Sequence, residues 1–539
     1  MHGRLKVRPP DAARRRQREE KLRLFRANMA ALLEKAGRGQ DDAELLTLTG
    51  AVLEANPDVG TAWNARRAAL LRRGGDWVPE ELSFVGRCLG VNPKSYGAWH
   101  HRAWVLRSHP QPGAERALCD RLLEADPRNF HAWEQRRALG ATSPPEAELG
   151  FTGALLSRDF SNFSAWHHRG RLLAPDGGGV PPDRLREELE LVQSAVFTDP
   201  QDHSPWVYLR CLLARASPAP RVLRVHLDLE DGVAAVTFSR AVQAPPELTL
   251  WDRPLRAPWI SAERRGRPAC TWLCPLPADV ATPPAGPGPI SVAWCRGSAH
   301  REVELSRKGE KEAWWAEPVV PQELFWPEVG VAERAVLEEL AGACRELLEL
   351  EPRSRGCLLT LLLLLAATDP LGSEEEMRRC LSALQEADPL RRGFVADMAS
   401  RAELALALLR EGAEPEELRL PGKALTSLPL LEHLGSVTRL ELGGNALRAL
   451  PPTLGALRRL QVLDVSHNEI TTLQGVPPLP RLRELRLDGN PISHAPALSP
   501  LAACPRLSVL GLAETPLAVA PDAAARLAEL LPRVTVVLS

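Results

Sequence analysis

The chain has 539 residues, 44% of them hydrophobic, and a formal net charge of −1. That length predicts several domains with sizeable cores, and the balanced charge excludes a global affinity for nucleic acid or for an acidic membrane surface. Its 10 cysteines lack zinc-type pairing, so they read as reduced structural thiols, which suits a cytoplasmic setting.

From the N-terminus, Met1–Arg8 is short and basic, and no apolar core follows to suggest a signal peptide. Up to Arg26 there are ten Lys or Arg against three Asp or Glu. The span 11–33 has a helical pattern, and its charges read as a solvated helix face.

From Asn56 to Arg210 one phrase returns five times. Its copies are Asn56–Trp63, Asn92–Trp99, Asp126–Trp133, Asp159–Trp166 and Asp199–Trp206, with Trp spacings of 36, 34, 33 and 40 residues. Self-similarity at this period predicts stacked helical hairpins, none of which buries its apolar face alone. The leading Asn or Asp is expected to cap the start of a helix, with Pro at its first position. Arg66, Arg102, Arg136 and Arg169 each follow their Trp by three places. Their repetition predicts a structural role, bonding carbonyls or acids of the next hairpin. Second helices are expected around Glu80–Leu89 and Ala114–Leu123. The Gly- and Pro-rich stretch Ala174–Asp183 explains the longer last spacing.

After Pro218 the pattern turns to short strands: Val222–Asp228, Val233–Phe238, Glu247–Trp251, Thr271–Cys274, Ile290–Trp294 and Glu302–Leu305. Pro-rich turns such as Ala281–Pro289 separate them. The spacing predicts an inserted immunoglobulin-like β-sandwich over 219–320. Helical patterning returns over 321–412, where Glu351–Leu358 and Ala387–Leu390 echo the repeat, so this segment is read as the helical array continued. The most apolar run, Cys357–Thr368, spans 12 residues and is too short to cross a membrane, which takes about 18 or more. Over 413–539, Leu418-x-Leu420, Leu440-x-Leu442, Leu463-x-Val465, Leu485-x-Leu487 and Leu510-x-Leu512 recur every 22 to 25 residues, with Asn445, Asn468 and Asn490 three places on in their copies. These are leucine-rich repeats, each Asn amide satisfying buried backbone groups. The expected architecture is therefore an α-α superhelix over 1–218 and 321–412, with the inserted sandwich and a C-terminal leucine-rich domain.

No phosphate-binding G-x-x-x-x-G-K-[ST] loop and no G-x-S-x-G elbow occurs. The pairs His100-His101 and His167-His168 each diverge by about 100° on a helix, so neither clamps a metal from one face. Lys94 and Tyr96 lie in the loop-to-helix start of the second copy, and Asn129 and His131 occupy the matching stretch of the third. Stacking brings these positions to one edge beside helix N-termini, a setting that favours a diphosphate.

The phrase Asn92-Pro-Lys-Ser-Tyr-x-x-Trp-His-His-Arg102 and its copies resemble the repeat of the protein prenyltransferase α-subunit family. The opening Met1–Val7 and the later domains resemble its Rab-geranylgeranylating branch. That resemblance implies a heterodimer in which this chain wraps a catalytic β-subunit. The reaction it implies is transfer of geranylgeranyl from geranylgeranyl diphosphate to C-terminal cysteines of Rab GTPases presented by an escort protein. Zinc is implied as a cofactor of the β-subunit. Lys94 and Tyr96 match the family residues that approach the diphosphate. Asn129, Phe130 and His131 match a second family motif, with Phe130 where farnesyl-type relatives have Tyr. His2, on the N-terminal arm, is a candidate ligand to the partner's zinc. The farnesyl and type-I α-subunits have neither insert nor leucine-rich tail. The rival reading is a non-catalytic interaction scaffold.

Overall fold

The computed structural model describes all residues except 1–11, 40–41, 109–111, 140–143, 175–179, 215–219, 244–246, 251–252, 256–257, 264–267, 277–289, 297–298, 309–311, 326–328, 332 and 413. His2 and the Pro-rich turn 281–289 lie outside the described residues. Two compact units are formed, 1–175 with 202–208, and 176–201 with 209–539.

In the first unit, α1 (Ala12–Gly37) and α2 (Ala43–Ala55) precede hairpins built from α3 (Gly60–Arg73), α4 (Val78–Val91), α5 (Tyr96–Ser108), α6 (Pro112–Ala125), α7 (Phe130–Ala138), α8 (Pro145–Arg158) and α9 (Phe163–Leu173). The start of α11 (His203–Leu213) completes it, while α10 (Pro182–Thr198) belongs to the second unit.

The leading Asn or Asp of each copy does not begin a helix, contrary to the sequence expectation. The backbone N–H of Asn56, Asn92, Asp126, Asp159 and Asp199 instead closes the last turn of the preceding helix. Each side chain then accepts from the N–H two residues on, at 3.0–3.1 Å. This is an Asx turn, which competes with helix initiation and here reverses the chain. The N-caps come three residues later, at Ser95, Asn129 and Asn162. The residue at the Pro position serves through its carbonyl: Trp63, Trp99, Trp133 and Trp166 donate their indole N–H to Pro57, Pro93, Pro127 and Phe160 at 2.7–2.9 Å. Each phrase thus closes on itself, and a buried Trp finds its one necessary acceptor.

The recurring Arg is structural, as its repetition predicted. Arg66 donates to Glu81 and to the Leu46 carbonyl, and Arg102 to Glu115 and the Leu82 carbonyl. Arg136 donates to Glu148, and Arg169 to the Leu149 carbonyl. Glu81, Glu115 and Glu148 are buried on the second helices, so each buried carboxylate has its cation in place.

In the second unit, Ser354 caps α14 (Arg355–Thr368) and its hydroxyl donates to the Pro200 carbonyl at 2.8 Å. Ser95 does the same to Pro57 at 2.9 Å. The same cap-to-carbonyl contact thus recurs between residues 154 apart in sequence. Between them, Leu213 and Gly330 bracket an excursion and are bonded backbone to backbone at 2.7 Å. After the short α12 (Pro321–Leu324), the resumed helices are α13 (Arg334–Leu350), α14, α15 (Glu374–Ala387) and α16 (Arg392–Glu411).

The excursion is an antiparallel β-rich insert. Its strands are β1 (Val222–Asp228), β2 (Val233–Val242), β3 (Glu247–Leu250), β4 (Arg253–Pro254), β5 (Ile260–Ser261), β6 (Ala269–Pro275), β7 (Ile290–Arg296), β8 (Ala299–Lys308) and β9 (Glu312–Ala316), ordered β4-β3-β7-β8-β9-β1-β2-β6-β5. β4, β5 and β9 were not evident in the sequence. The first seven residues of β8 pair with β7 and its last three with β9. Val225, Leu227, Val236, Phe238, Leu250 and Leu305 share one core.

β1 alternates apolar and polar residues, yet both its faces are buried. Its polar face meets the leucine-rich domain. Arg481 donates to Asp228 at 2.8 Å, Arg459 lies 3.3 Å from Glu312, and Trp314 donates to Glu414 at 2.9 Å. That domain stacks β10 (Glu417–Arg419), β11 (Arg439–Glu441), β12 (Val462–Asp464), β13 (Glu484–Arg486), β14 (Val509–Gly511) and β15 (Thr535–Val537) in one parallel sheet in chain order, with α17 (Ala523–Leu530) before the last strand. Asn445 shows the expected amide role, donating to the Leu420 and Leu442 carbonyls and accepting from Lys423 and Leu425 N–H. Among the described residues no helix is long and apolar enough to cross a membrane.

Candidate functional site

The Asx turn at Asn92 and the cap at Ser95 present Lys94 and Tyr96 at the start of α5, with Asn129 and His131 at the matching start of α7. Lys94 is not in the helix itself. Its backbone N–H donates to Asn92 Oδ1, and its ammonium lies 2.7 Å from the Asp126 carboxylate, both side chains being partly exposed. Burial pushes Asp126 up, but the bonds from Lys94 and from the Arg128 backbone outweigh it and hold the carboxyl below its ordinary value. Asp126 opens the third copy, 32 residues after Lys94, one repeat less two. The repeat period carried that signal, although sequence reasoning did not assign the pair.

Tyr96 is the first residue of α5 and 70% exposed. Its ring meets the His131 imidazole edge to face, with centroids 4.5 Å apart at 85°. His131 is only 6% exposed, and its Nε2 has no hydrogen-bond partner. Burial pushes the imidazole below its ordinary value, against the Glu134 carboxylate and the main chain of Lys94, which raise it. The ring is therefore neutral near pH 7 and keeps one nitrogen unengaged. Asn129 is fully buried, caps α7 and donates to the Pro93 carbonyl at 3.0 Å. Both its amide oxygen and its amide nitrogen are engaged in structure. Phe130 is exposed and lies 5.7 Å from the Tyr96 ring, and Phe163 occupies the equivalent exposed position of the fourth copy.

The edge thus combines an accessible phenol, an ammonium on one exposed carboxylate, a neutral imidazole and exposed aromatic rings. That set suits an anionic headgroup attached to an apolar chain. Of the paired histidines, His101 and His168 are buried on Glu81 and Glu148 at 2.7 and 3.1 Å, while His100 and His167 are exposed. Among the described residues no group of three or more His, Cys, Asp or Glu is arranged to hold a metal.

Tryptophan-locked helical hairpins, interrupted by a β-rich insert and followed by leucine-rich repeats, define a repeat-built protein of the prenyltransferase α-subunit class. The family model for the protein prenyltransferase alpha subunit repeat matches residues 78–109, 113–140, 145–174 and 185–216. The model for the Rab geranylgeranyl transferase alpha-subunit insert domain matches 222–319, and a leucine rich repeat model matches 435–492. The geranylgeranyl transferase type-2 subunits alpha of Sus scrofa and of Homo sapiens are each 42% identical to this chain over 568 aligned residues, covering 100% of both chains. The chain belongs to the geranylgeranyl transferase type-2 alpha-subunit family. A solved structure of Candida albicans protein geranylgeranyltransferase-I complexed with GGPP is 25% identical, covers 35% of this chain and 66% of that one, and has a TM-score of 0.33.

Proposed function

We propose that this chain is the α-subunit of a heterodimeric, cytoplasmic enzyme that transfers geranylgeranyl from geranylgeranyl diphosphate to C-terminal cysteines of Rab GTPases presented by an escort protein. The observation that carries the reading is the end-to-end match to type-2 alpha subunits, insert included. The free thiols of Cys88, Cys119, Cys344, Cys380 and Cys504 suit a reducing compartment.

In this reading the partner β-subunit holds the zinc, which when bound there supplies a Lewis acid that favours the thiolate of the acceptor cysteine. The described residues of this chain hold no set that fits the metal. The chain's own contribution is the Lys94 edge. Lys94 meets the charge that grows on the departing diphosphate. The Tyr96 hydroxyl, standing free at the helix start, donates to the same oxygens. His131 sets the Tyr96 ring from behind, and Asn129 fixes the turn that carries both. Positive charge placed where negative charge develops accelerates the chemical step more than it tightens ground-state binding. The insert, in this reading, closes as an immunoglobulin-like sandwich with β8 crossing between its two sheets, supported by the core that Leu250 and Leu305 share with Val225 and Val236.

The test is reconstitution. The chain is combined with a type-2 β-subunit, escort protein, Rab and geranylgeranyl diphosphate. Transfer by the mixture, with none by either subunit alone, is expected. A stable complex without transfer would favour the scaffold reading.

A further inference from the structure

The leucine-rich repeats carry a second ladder beside the asparagines. Ser436, Arg459, Arg481 and Arg506 stand just before Val437, Leu460, Leu482 and Leu507, at steps of 23, 22 and 25 residues. The arginines meet acids of the insert. Arg506 donates to Asp231 at 3.1 Å, Arg481 donates to Asp228 at 2.8 Å and also meets Glu312, and Arg459 lies 3.3 Å from Glu312. The first step breaks the pattern. Ser436 is short, Gly435 before it has no side chain, and Arg224 of β1 enters the space they leave. A Cβ on Gly435 would stand 2.7 Å from Arg224 Cδ and 2.8 Å from its Nε. At this step the guanidinium comes from the insert.

That guanidinium is left unsatisfied. Arg224 is buried, yet its Nη1 has no hydrogen-bond partner. Its ion-pair partner Glu414 is partly exposed, lies 3.9 Å from Nη2, and already accepts from the Trp314 indole at 2.9 Å. Ser436 is buried too, and its hydroxyl has no partner, although its carbonyl accepts from Arg459 at 3.1 Å. Two idle donors thus border one dipeptide. The charge is also unbalanced. The guanidiniums of Arg224, Arg459 and Arg481 are at most 12% exposed, against the two buried carboxylates of Asp228 and Glu312. Glu312 Oε1 lacks an aligned donor, but Arg481 lies against it. Burial pushes Arg224 down to about 10, against Glu414, and Arg459 adds to the fall.

A buried cation with idle donors is costly unless an anion meets it. The geometry points to a binding site for one small monovalent anion, of halide size, at Gly435-Ser436, held by Arg224 Nη1 and the Ser436 hydroxyl with Arg459 as the second cation. Two donors suit a halide better than a phosphate, most of whose oxygens would be buried unmet. The bound ion joins β1 of the insert to the first turn of the leucine-rich domain. A buried water satisfies the same donors but cancels no charge, so the two occupants respond differently to added halide.

The experiment unfolds the full chain thermally, after purification without halide, in rising sodium bromide with sodium gluconate holding ionic strength constant. Bromide should raise the midpoint saturably. Ser436→Ala removes one donor and should raise the half-saturating concentration by about 5-fold. Arg224→Met should abolish the saturable response, and Arg526→Met on α17 should leave it unchanged. If Arg224→Met does not fold, Ser436→Ala decides. Crystals of the full chain grown in bromide should show an anomalous peak beside Arg224 and Ser436. Density there without anomalous signal identifies a water and overturns the inference. A peak without saturable stabilisation marks an adventitious ion only and overturns it as well. So does a bromide response that Ser436→Ala and Arg224→Met leave unchanged.

Discussion

The Lys94 ammonium lies 2.7 Å from the carboxylate of Asp126, so the cation at the second repeat is held by the residue that opens the third. Two further repeats open with Asn, at positions 56 and 92, and form the same Asx turn. Asp126→Asn should therefore preserve the turn and leave stability unchanged to within ~0.5 kcal/mol, the usual worth of an exposed pair. By removing the charge that competes for Lys94, it should tighten binding of geranylgeranyl diphosphate to the heterodimer by about 2- to 5-fold. Isothermal titration checks it, and weaker binding would mean that Asp126 positions Lys94 rather than competing for it.

Glu148 is buried and accepts from Arg136 at 2.7 Å, with His168 Nε2 at 3.1 Å. Glu148→Ala leaves the buried Arg136 guanidinium with only the partly exposed Asp120 carboxylate. The expected loss is about 3 kcal/mol in denaturant unfolding of the helical array, the lower end for removing one partner of a buried pair. A loss below 1 kcal/mol, on the order of an exposed surface pair, would show that the Arg–Glu relay is not what holds neighbouring hairpins together.

The insert should be acid-sensitive through His226. Burial first, then Arg481, Arg224 and Arg458, push its imidazole from the ordinary value down to about 3, against Asp228, which raises it. The Glu312 carboxylate also faces it, at 3.9 Å. In the folded state the ring is neutral, whereas unfolded chain protonates below about pH 6.5. The contribution is thus fully present above about pH 6.5 and is lost as pH falls toward 3, by up to about 1.4 kcal/mol per unit. His226→Gln should flatten that limb of the stability-versus-pH curve. An unchanged limb would place the acid sensitivity in other groups.

Removing residues 413–539 should leave transfer largely intact, because the leucine-rich domain has its own repeat and core. It should also lower the unfolding temperature of the insert, since Arg224, His226, Asp228 and Glu312 lose the surface that buries them. Calorimetry of the truncated heterodimer beside its single-turnover rate separates the two effects. Near-complete loss of transfer in an assembled dimer would give the domain a role in the reaction.

What could be read from the sequence follows from distance along the chain. The Trp and Arg positions and the leucine-rich Asn ladder recur at fixed periods, so their roles were legible before any coordinates. The edge that joins Tyr96 to His131 was legible for the same reason, since one repeat carries Tyr96 onto Phe130, the neighbour of His131. The opening Asn and Asp were assigned to the wrong helix end, because a cap and an Asx turn draw on the same residue types. The Asp228–Arg481 contact spans 253 residues with no period to announce it. The alternating pattern of β1 therefore carried no sign that its polar face is buried against the leucine-rich domain.

The most direct test of the central claim is single-turnover transfer by a Lys94→Ala heterodimer with geranylgeranyl diphosphate already bound, measured beside isoprenoid affinity. Lys94 supplies charge to the leaving diphosphate, so the rate should fall by about 10²-fold, the lower end for losing one electrostatic donor. Affinity should change far less and assembly not at all, because the Trp core is untouched, and Lys94→Arg should recover part of the rate. A wild-type single-turnover rate for Lys94→Ala in a correctly assembled heterodimer would contradict the claim and leave the Asp126 ion pair as the whole role of Lys94.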